Sequence, residues 1–184
     1  KTSSVATKWF KAALFFNVIS SLGTFALAYM MATKNIHQNE YLASIYYYLH
    51  FQYNGWFFFA CMGLLLDYLK ITSNSNRIYS QSFMWLFWSC IAGYFLSTLW
   101  LDLPLLIYIL TAISAIVQVV VWCLLFKTIV KENKSIFVTL PNYLKYLILF
   151  ISFALIAKFL LQLGSTVPAI SKLAFVFSPI LIAY

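Results

Sequence analysis

Long apolar runs, almost free of charge, are the feature that most restricts what this chain can fold into. Five runs of about 20 residues or more follow one another along the 184 residues, and a sixth begins near the end. A helix that crosses the hydrocarbon core of a bilayer needs about 20 such residues at a rise of about 1.5 Å each. The strands of an outer-membrane barrel alternate in polarity over about ten residues, and these runs do not. The sequence therefore predicts an all-α, polytopic bundle of transmembrane helices.

Composition excludes a soluble globular domain. Charged residues make up 9% of the chain and hydrophobic residues 64%, where a soluble domain has about 25% and about 45–50%. The net charge of +8 could indicate nucleic acid, but the basic residues flank the apolar runs, so we expect a lipid bilayer and no nucleic acid as partner. Cys61, Cys90 and Cys123 lie inside apolar runs without CxxC spacing and are predicted to be buried free thiols.

The predicted helices form a single transmembrane domain over residues 1–184. Their approximate bounds are residues 9–31, 41–69, 81–100, 104–126 and 143–164, with a sixth helix at 171–184 that is cut short. The chain begins with Lys1 and stops at Tyr184 inside an apolar run. We therefore expect a longer protein with further helices beyond residue 184.

Lysine and arginine residues are concentrated in alternate connections between the predicted helices. Nine of the twelve lysine and arginine residues lie at the N-terminus, in the second loop, or in and just beyond the fourth loop. The first loop has only Lys34, beside Glu40, and the third has only Asp102. Short loops rich in lysine and arginine stay in the cytoplasm. This asymmetry predicts a cytoplasmic N-terminus.

Polar side chains inside a predicted span are the first candidates for function, because hydrocarbon disfavours them unless they have partners. The second predicted helix has the densest set. At helical spacing, one of its faces carries Tyr46, His50, Tyr53, Asn54, Phe57 and Cys61. This helix runs from outside to inside, which puts His50 in the outer third of the membrane at about 1.5 Å per residue.

His50 has two interpretations. It can be a neutral imidazole that forms a hydrogen bond to a neighbouring helix. It can instead be a ligand of a metal or haem iron, because a neutral imidazole offers a lone pair while a partner holds its other nitrogen. Tyr46, Tyr53 or Asn54 could supply that supporting hydrogen bond, and Gly55 would let a flat ring or another backbone approach closely.

Other polar residues are weaker candidates. Lys158 and Gln162 lie one turn apart toward the outer end of the fifth predicted helix. Lys158 can extend to the interface, or it can meet an anionic ligand such as a haem propionate. On the third predicted helix, a seam of small residues favours close helix packing. The seam consists of Ser89, Gly93 and Ser97.

The sequence lacks the motifs that several common chemistries require. It has no Walker A or GxGxxG loop, no HExxH and no CxxC-His haem-attachment motif. His37 and His50 are its two histidines, so this chain alone cannot complete a multi-histidine metal site. No pair of carboxylates lies in a predicted span, which weakens the case for a proton-coupled transporter.

The stretch from Tyr47 to Phe57 reads YYLHFQYNGWF and follows a helix that contains Leu22-Gly23-Thr24. Together these resemble bacterial polytopic proteins related to haem–copper oxidase subunit I and to the NnrS family. The second helix of that superfamily carries a histidine toward the outer face that ligates a haem, and His50 matches it in helix number, side and depth. The resemblance implies a bacterial inner membrane and a haem cofactor. The run from Gln52 to Gly55 departs from oxidases proper, so oxygen reduction and proton pumping are not implied.

The leading hypothesis is a haem-binding, oxidase-subunit-I-like protein of respiratory or nitrogen-oxide metabolism, with His50 as the iron ligand. Its partners would be other membrane subunits or a redox partner, and the hypothesis leaves open whether the chain is an enzyme. The alternative is a non-catalytic structural or accessory membrane subunit whose polar residues only pack helices. A transporter ranks third, because the first five predicted helices lack the discontinuous pairs typical of transporter sites.

Overall fold

The structure is a computed structural model that describes residues 5–71, 77–101 and 103–167. Regular structure within these ranges is entirely helical. The α-helices are α1 (Val5–Thr33), α2 (Gln38–His50), α3 (Phe58–Tyr68), α4 (Arg77–Gly93), α5 (Leu105–Glu132), α6 (Lys134–Thr139) and α7 (Asn142–Gly164). A π-helical segment, Phe51–Phe57, joins α2 to α3, and a 3₁₀ segment, Tyr94–Thr98, follows α4.

The all-α prediction is confirmed for the described residues. Among them, α1, α5 and α7 are long and apolar enough to cross a membrane, and they coincide with the runs predicted at 9–31, 104–126 and 143–164. The second predicted helix, 41–69, is continuous but changes to π-helix in its middle, and the third, 81–100, ends in 3₁₀ geometry. The sixth, 171–184, lies outside the described residues.

Two prolines set the starting points of long helices. Pro104 (φ −55°) and Pro141 (φ −57°) stand immediately before α5 and α7. Proline fixes φ near the helical value and lacks the N–H that a first turn would leave unpaired. Both helices therefore begin within a residue of the positions that the sequence predicted.

The chain divides into two compact units, Lys1–Thr98 and Leu99–Tyr184. In the first unit, α1 packs against α2, the π-helical segment, α3 and α4. Its core is largely aromatic, and Trp9, Phe16 and Phe59 are each 0% exposed. The ring centroids of Phe16 and Phe59 lie 5.2 Å apart, and so do those of Trp9 and Phe59. Close tilted and edge-to-face contacts of this kind stabilise a core beyond the area they bury.

Glycines allow α1 to approach its neighbours closely. A Cβ atom at Gly55 would lie 2.6 Å from the Cβ and Cγ atoms of Phe16. A Cβ atom at Gly23 would lie 2.8 Å from the backbone oxygen of Ser44. Both distances are shorter than real Cβ contacts, so any larger residue would push α1 away from its partners.

In the second unit, α5 and α7 pack against each other. The side chains buried there include Trp122, Leu125 and Phe159. The hydroxyl of Tyr108, near the start of α5, donates a hydrogen bond to the backbone oxygen of Thr166, just after α7. The two helices are therefore antiparallel.

Exposure of the cysteines differs from the prediction. Cys90 is buried, whereas Cys61 and Cys123 are exposed. The prediction of three buried thiols is therefore wrong for two of them, because an apolar run shows that a residue avoids water but not whether it faces a neighbouring helix or the lipid.

Candidate functional site

His50 is the last residue of α2 and directly precedes the π-helical segment. Its side chain is 4% exposed. The rings of Phe51 and Tyr94 contact the imidazole edge-on, at centroid distances of 5.1 and 6.1 Å. The imidazole therefore lies in a mainly aromatic environment between α2 and the 3₁₀ segment.

Both ring nitrogens of His50 form hydrogen bonds. Nε2 lies 2.8 Å from the backbone oxygen of Cys90 in α4. A carbonyl oxygen can only accept, so Nε2 carries the hydrogen of the neutral ring and Nδ1 has the lone pair. The side-chain nitrogen of Asn54 lies 3.1 Å from Nδ1 and donates to it. The imidazole thus joins α2 to α4, and the amide holds its orientation.

The π-helical segment changes which residues share a face with His50. A π turn contains more residues than an α turn, so the side chains after it are rotated from their α-helical positions. Tyr53 and Phe57 are 64% and 56% exposed, and Cys61 is also exposed, whereas His50 is buried. The single face predicted from α-helical spacing is therefore split in the structure.

Of the three residues predicted to support the imidazole, Asn54 bonds to it. Tyr46 is half-buried on α2. Tyr53 points largely away from the packed interior. Among the described residues, Asn54 is therefore the predicted partner that contacts the imidazole, but it bonds to Nδ1, which has the lone pair, and the ring N–H is held by the carbonyl of Cys90.

Gln52 forms a second polar connection that the sequence analysis did not anticipate. Its side-chain nitrogen donates to Ser20 Oγ at 2.7 Å and to Asn17 Oδ1 at 3.1 Å. Ser20 Oγ in turn donates to the backbone oxygen of Asn17 at 2.7 Å. The sequence feature that could have predicted it is an amide within an apolar run, together with two polar residues one turn apart on the preceding helix. The π-helical segment is therefore fastened to α1.

A third connection comes from Tyr94 in the 3₁₀ segment. Its hydroxyl donates to the backbone oxygen of Ala43 in α2 at 3.2 Å. The Tyr94 ring also lies 5.2 Å from that of Tyr47. This contact ties α2 to the residues after α4, alongside the bond from His50 to Cys90. Of the predicted seam, Ser89 and Gly93 are buried in α4, and Ser97 is half-buried in the 3₁₀ segment.

The arrangement around His50 does not suit a haem iron as placed. The lone pair of Nδ1 faces the amide of Asn54, and Nε2 is used by the carbonyl of Cys90. The space that Gly55 offers is filled by the side chain of Phe16 rather than left for a flat ring. The ligand role of His50 stays a prediction.

Lys158 and Gln162 belong to the second unit, on α7. Both are half-buried. The Lys158 ammonium lies 5.5 Å from the ring centroid of the adjacent Phe159, a distance at which a cation is attracted to the ring face. Gln162 Oε1 is buried with no hydrogen-bond partner among the described residues. Their role toward an anionic ligand stays a prediction.

Comparisons of the chain with protein-family models, curated proteins and solved structures found no match.

Proposed function

We propose that this chain is a multi-pass protein of a bacterial inner membrane, with a non-catalytic structural or accessory role. The observation that carries the proposal is the use of both nitrogens of His50 in hydrogen bonds within the helix packing. A histidine that ligates a cofactor or moves a proton needs one nitrogen available for that task. In this arrangement, Nε2 joins two helices and Nδ1 is occupied by Asn54 of the same continuous helix.

Length and exposure support the membrane location. On α7, Ser152 and Phe159 are buried, while large apolar side chains on the rest of its surface are exposed. They include Tyr146, Phe150, Phe153 and Leu161. A continuous apolar face of this kind is unfavourable in water and favourable against acyl chains or another membrane subunit.

Further crossings are part of the proposal. The helix from Gln38 to Tyr68 is continuous through its α, π and α parts, and this supports a crossing at the second apolar run. The charge asymmetry of the loops supports a cytoplasmic N-terminus. An accessory subunit of this design would stabilise a membrane assembly through its apolar faces.

Haem binding is the second candidate function, and one observation favours it. Metal-bound histidines usually donate their other N–H to a carbonyl or carboxylate, and His50 donates to the carbonyl of Cys90. In this arrangement Nδ1 would be the ligand, and the Asn54 amide would have to turn away from it. Haem would then supply redox or ligand-binding chemistry at its iron.

An absorbance spectrum of the purified full chain, expressed with ample haem, distinguishes the structural role from haem binding. The structural role predicts extraction from membranes only by detergent, no Soret band and no bound metal. A Soret band that is lost in His50→Ala but kept in His37→Ala would overturn the structural role in favour of haem binding. Recovery of the chain in the soluble fraction without detergent would overturn the membrane location itself.

A further inference from the structure

Four lysines surround the connection from α5 through α6 to α7. Lys127 and Lys131 lie one turn apart on α5, so they share a face. Lys134 begins α6, and Lys145 lies in the first turn of α7. From residue 103 to the end of the sequence, Glu132 is the sole acidic residue. This group, the α5–α7 lysine cluster, is therefore strongly positive.

The length of α5 places the cluster at the level of lipid headgroups. The helix has 28 residues, which corresponds to about 42 Å at about 1.5 Å per residue. The hydrocarbon core is only about 30 Å thick. If the apolar start of α5 lies at one edge of the core, the turns that carry Lys127 and Lys131 extend past the other edge. Their ammonium groups then lie among the phosphates.

The connection itself has a defined shape. Asn133 lies between α5 and α6, and its buried side chain donates to the backbone oxygen of Ile129 at 2.9 Å. Lys145 Nζ donates to the backbone oxygen of Val138 at 3.0 Å and so folds back over the connection. The lysines are therefore held around one compact turn and not spread along a loose loop.

Apolar and aromatic groups lie beside the cluster. Val138 of α6 is 66% exposed, and Tyr143 and Tyr146 at the start of α7 are 70% and 71% exposed. Tyrosine side chains favour the membrane interface, where the ring meets apolar chains and the hydroxyl meets water. An exposed valine beside the lysines would contribute nothing to nucleic-acid binding, whereas a bilayer surface accommodates both the valine and the lysines.

We propose that the α5–α7 lysine cluster binds the headgroups of anionic phospholipids on the cytoplasmic side of the membrane. The inference rests on the membrane location proposed above. Each ammonium attracts the phosphate of an anionic lipid, while Val138 and the two tyrosines insert beside the acyl chains. Such binding would fix the depth of this end of the second unit.

The test uses the full chain in neutral detergent, with mixed micelles of either phosphatidylglycerol or phosphatidylcholine added. Native mass spectrometry counts the bound lipids, and a titration gives their affinity. We expect phosphatidylglycerol to bind more tightly than phosphatidylcholine, and less tightly as salt rises. Replacing the lysines by glutamine should weaken phosphatidylglycerol binding by about fivefold per lysine. The glutamine variant is K127Q/K131Q/K134Q/K145Q.

Two variants and the soluble probes control for trivial effects. The matched arginine variant, K127R/K131R/K134R/K145R, should retain the preference, and Lys34→Gln, outside the cluster, should not change it. Equal binding of the two lipids by the wild-type chain would overturn the proposal while leaving the membrane location intact. Inorganic phosphate or an oligonucleotide that displaces phosphatidylglycerol at equal concentration would overturn the assignment to lipid. A chain soluble without detergent would overturn both proposals.

Discussion

Nε2 of His50 donates a hydrogen bond of 2.8 Å to the backbone oxygen of Cys90, and this bond joins two points where a helix changes type. His50 is the last residue before the π-helical segment. Cys90 lies four residues before Tyr94, where α4 gives way to 3₁₀ geometry. A carbonyl oxygen has two lone pairs, so the oxygen of Cys90 can accept from the imidazole as well as from a backbone N–H of its own helix.

Replacing His50 by alanine should lower the stability of the first unit. The substitution removes a donor from the carbonyl of Cys90 and an acceptor from Asn54, both in packed surroundings. We expect a loss of about 1–2 kcal/mol, measured as a lower unfolding temperature in detergent. His37→Ala is the matched control, because His37 is exposed and has no side-chain bond at the start of α2. Equal tolerance of the two substitutions would contradict a clamping role for His50.

Hydropathy predicted where the helices lie but not their internal geometry. An apolar run has the same composition whether its turns are α, π or 3₁₀, so the sequence pattern could not predict the change from α-helix to π-helix at Phe51. That change explains why Tyr53 was predicted beside His50 and instead lies mainly exposed. His50 itself could be identified as a candidate from the sequence, because a histidine within an apolar run needs a hydrogen-bonding partner whatever the local type of helix.

The partners of His50 and Gln52 were harder to predict than the residues themselves. The Cys90 carbonyl is a backbone atom, and its side chain gives no sign of the contact. Asn17 and Ser20 are polar residues one turn apart in an apolar helix, but pairing them with Gln52 needs the register between α1 and the π-helical segment. That register is set by glycine contacts and aromatic packing, which depend on tertiary structure.

A double-mutant cycle should detect coupling between Gln52 and Ser20. Gln52→Ala and Ser20→Ala each remove one side of the 2.7 Å bond between Nε2 and Oγ. Interhelical bonds in membrane proteins couple by about 0.6 kcal/mol on average and about 1.7 kcal/mol at most, and we expect a value in that range. The control pair is Gln52 with Ser21, whose hydroxyl bonds back to the oxygen of Val18. Coupling as large in the control pair would show that the cycle reports general destabilisation.

Gly55→Ala should separate α1 from the π-helical segment. The new Cβ would lie 2.6 Å from two atoms of Phe16, which is itself 0% exposed and cannot turn into free space. Overpacking of this kind costs about 1–3 kcal/mol, although alanine is the better helix former. We expect a lower unfolding temperature and a partial recovery in Gly55→Ala combined with Phe16→Leu. Ala28→Val, at an exposed position of α1, should have little effect.

Cysteine labelling should reveal the proposed orientation in the membrane. In a background without the native cysteines, single cysteines would replace Gln38, Arg77 and Ser135, which are all exposed. The loop charges predict that Arg77→Cys and Ser135→Cys react with an impermeant reagent only from the cytoplasm. Gln38→Cys should react only from outside. Reaction of Gln38→Cys and Arg77→Cys from the same side would show that the helix from Gln38 to Tyr68 does not cross.

Asn54→Ala distinguishes the structural role of His50 from an iron-binding role. Asn54 donates to Nδ1 at 3.1 Å, so in the structural role its loss should lower the unfolding temperature by the equivalent of about 1 kcal/mol. Added haem should then show only the spectrum of free haem in detergent, with no band from histidine-ligated haem. In the iron-binding role the same amide blocks the lone pair, so Asn54→Ala should increase the Soret band, and His50→Ala in that background should abolish it. Asn142→Ala, which removes an exposed amide at the start of α7, is the control for both measurements. A stable Asn54→Ala variant that gains a Soret band would show that His50 can ligate iron and that Asn54 prevents this in the wild-type chain.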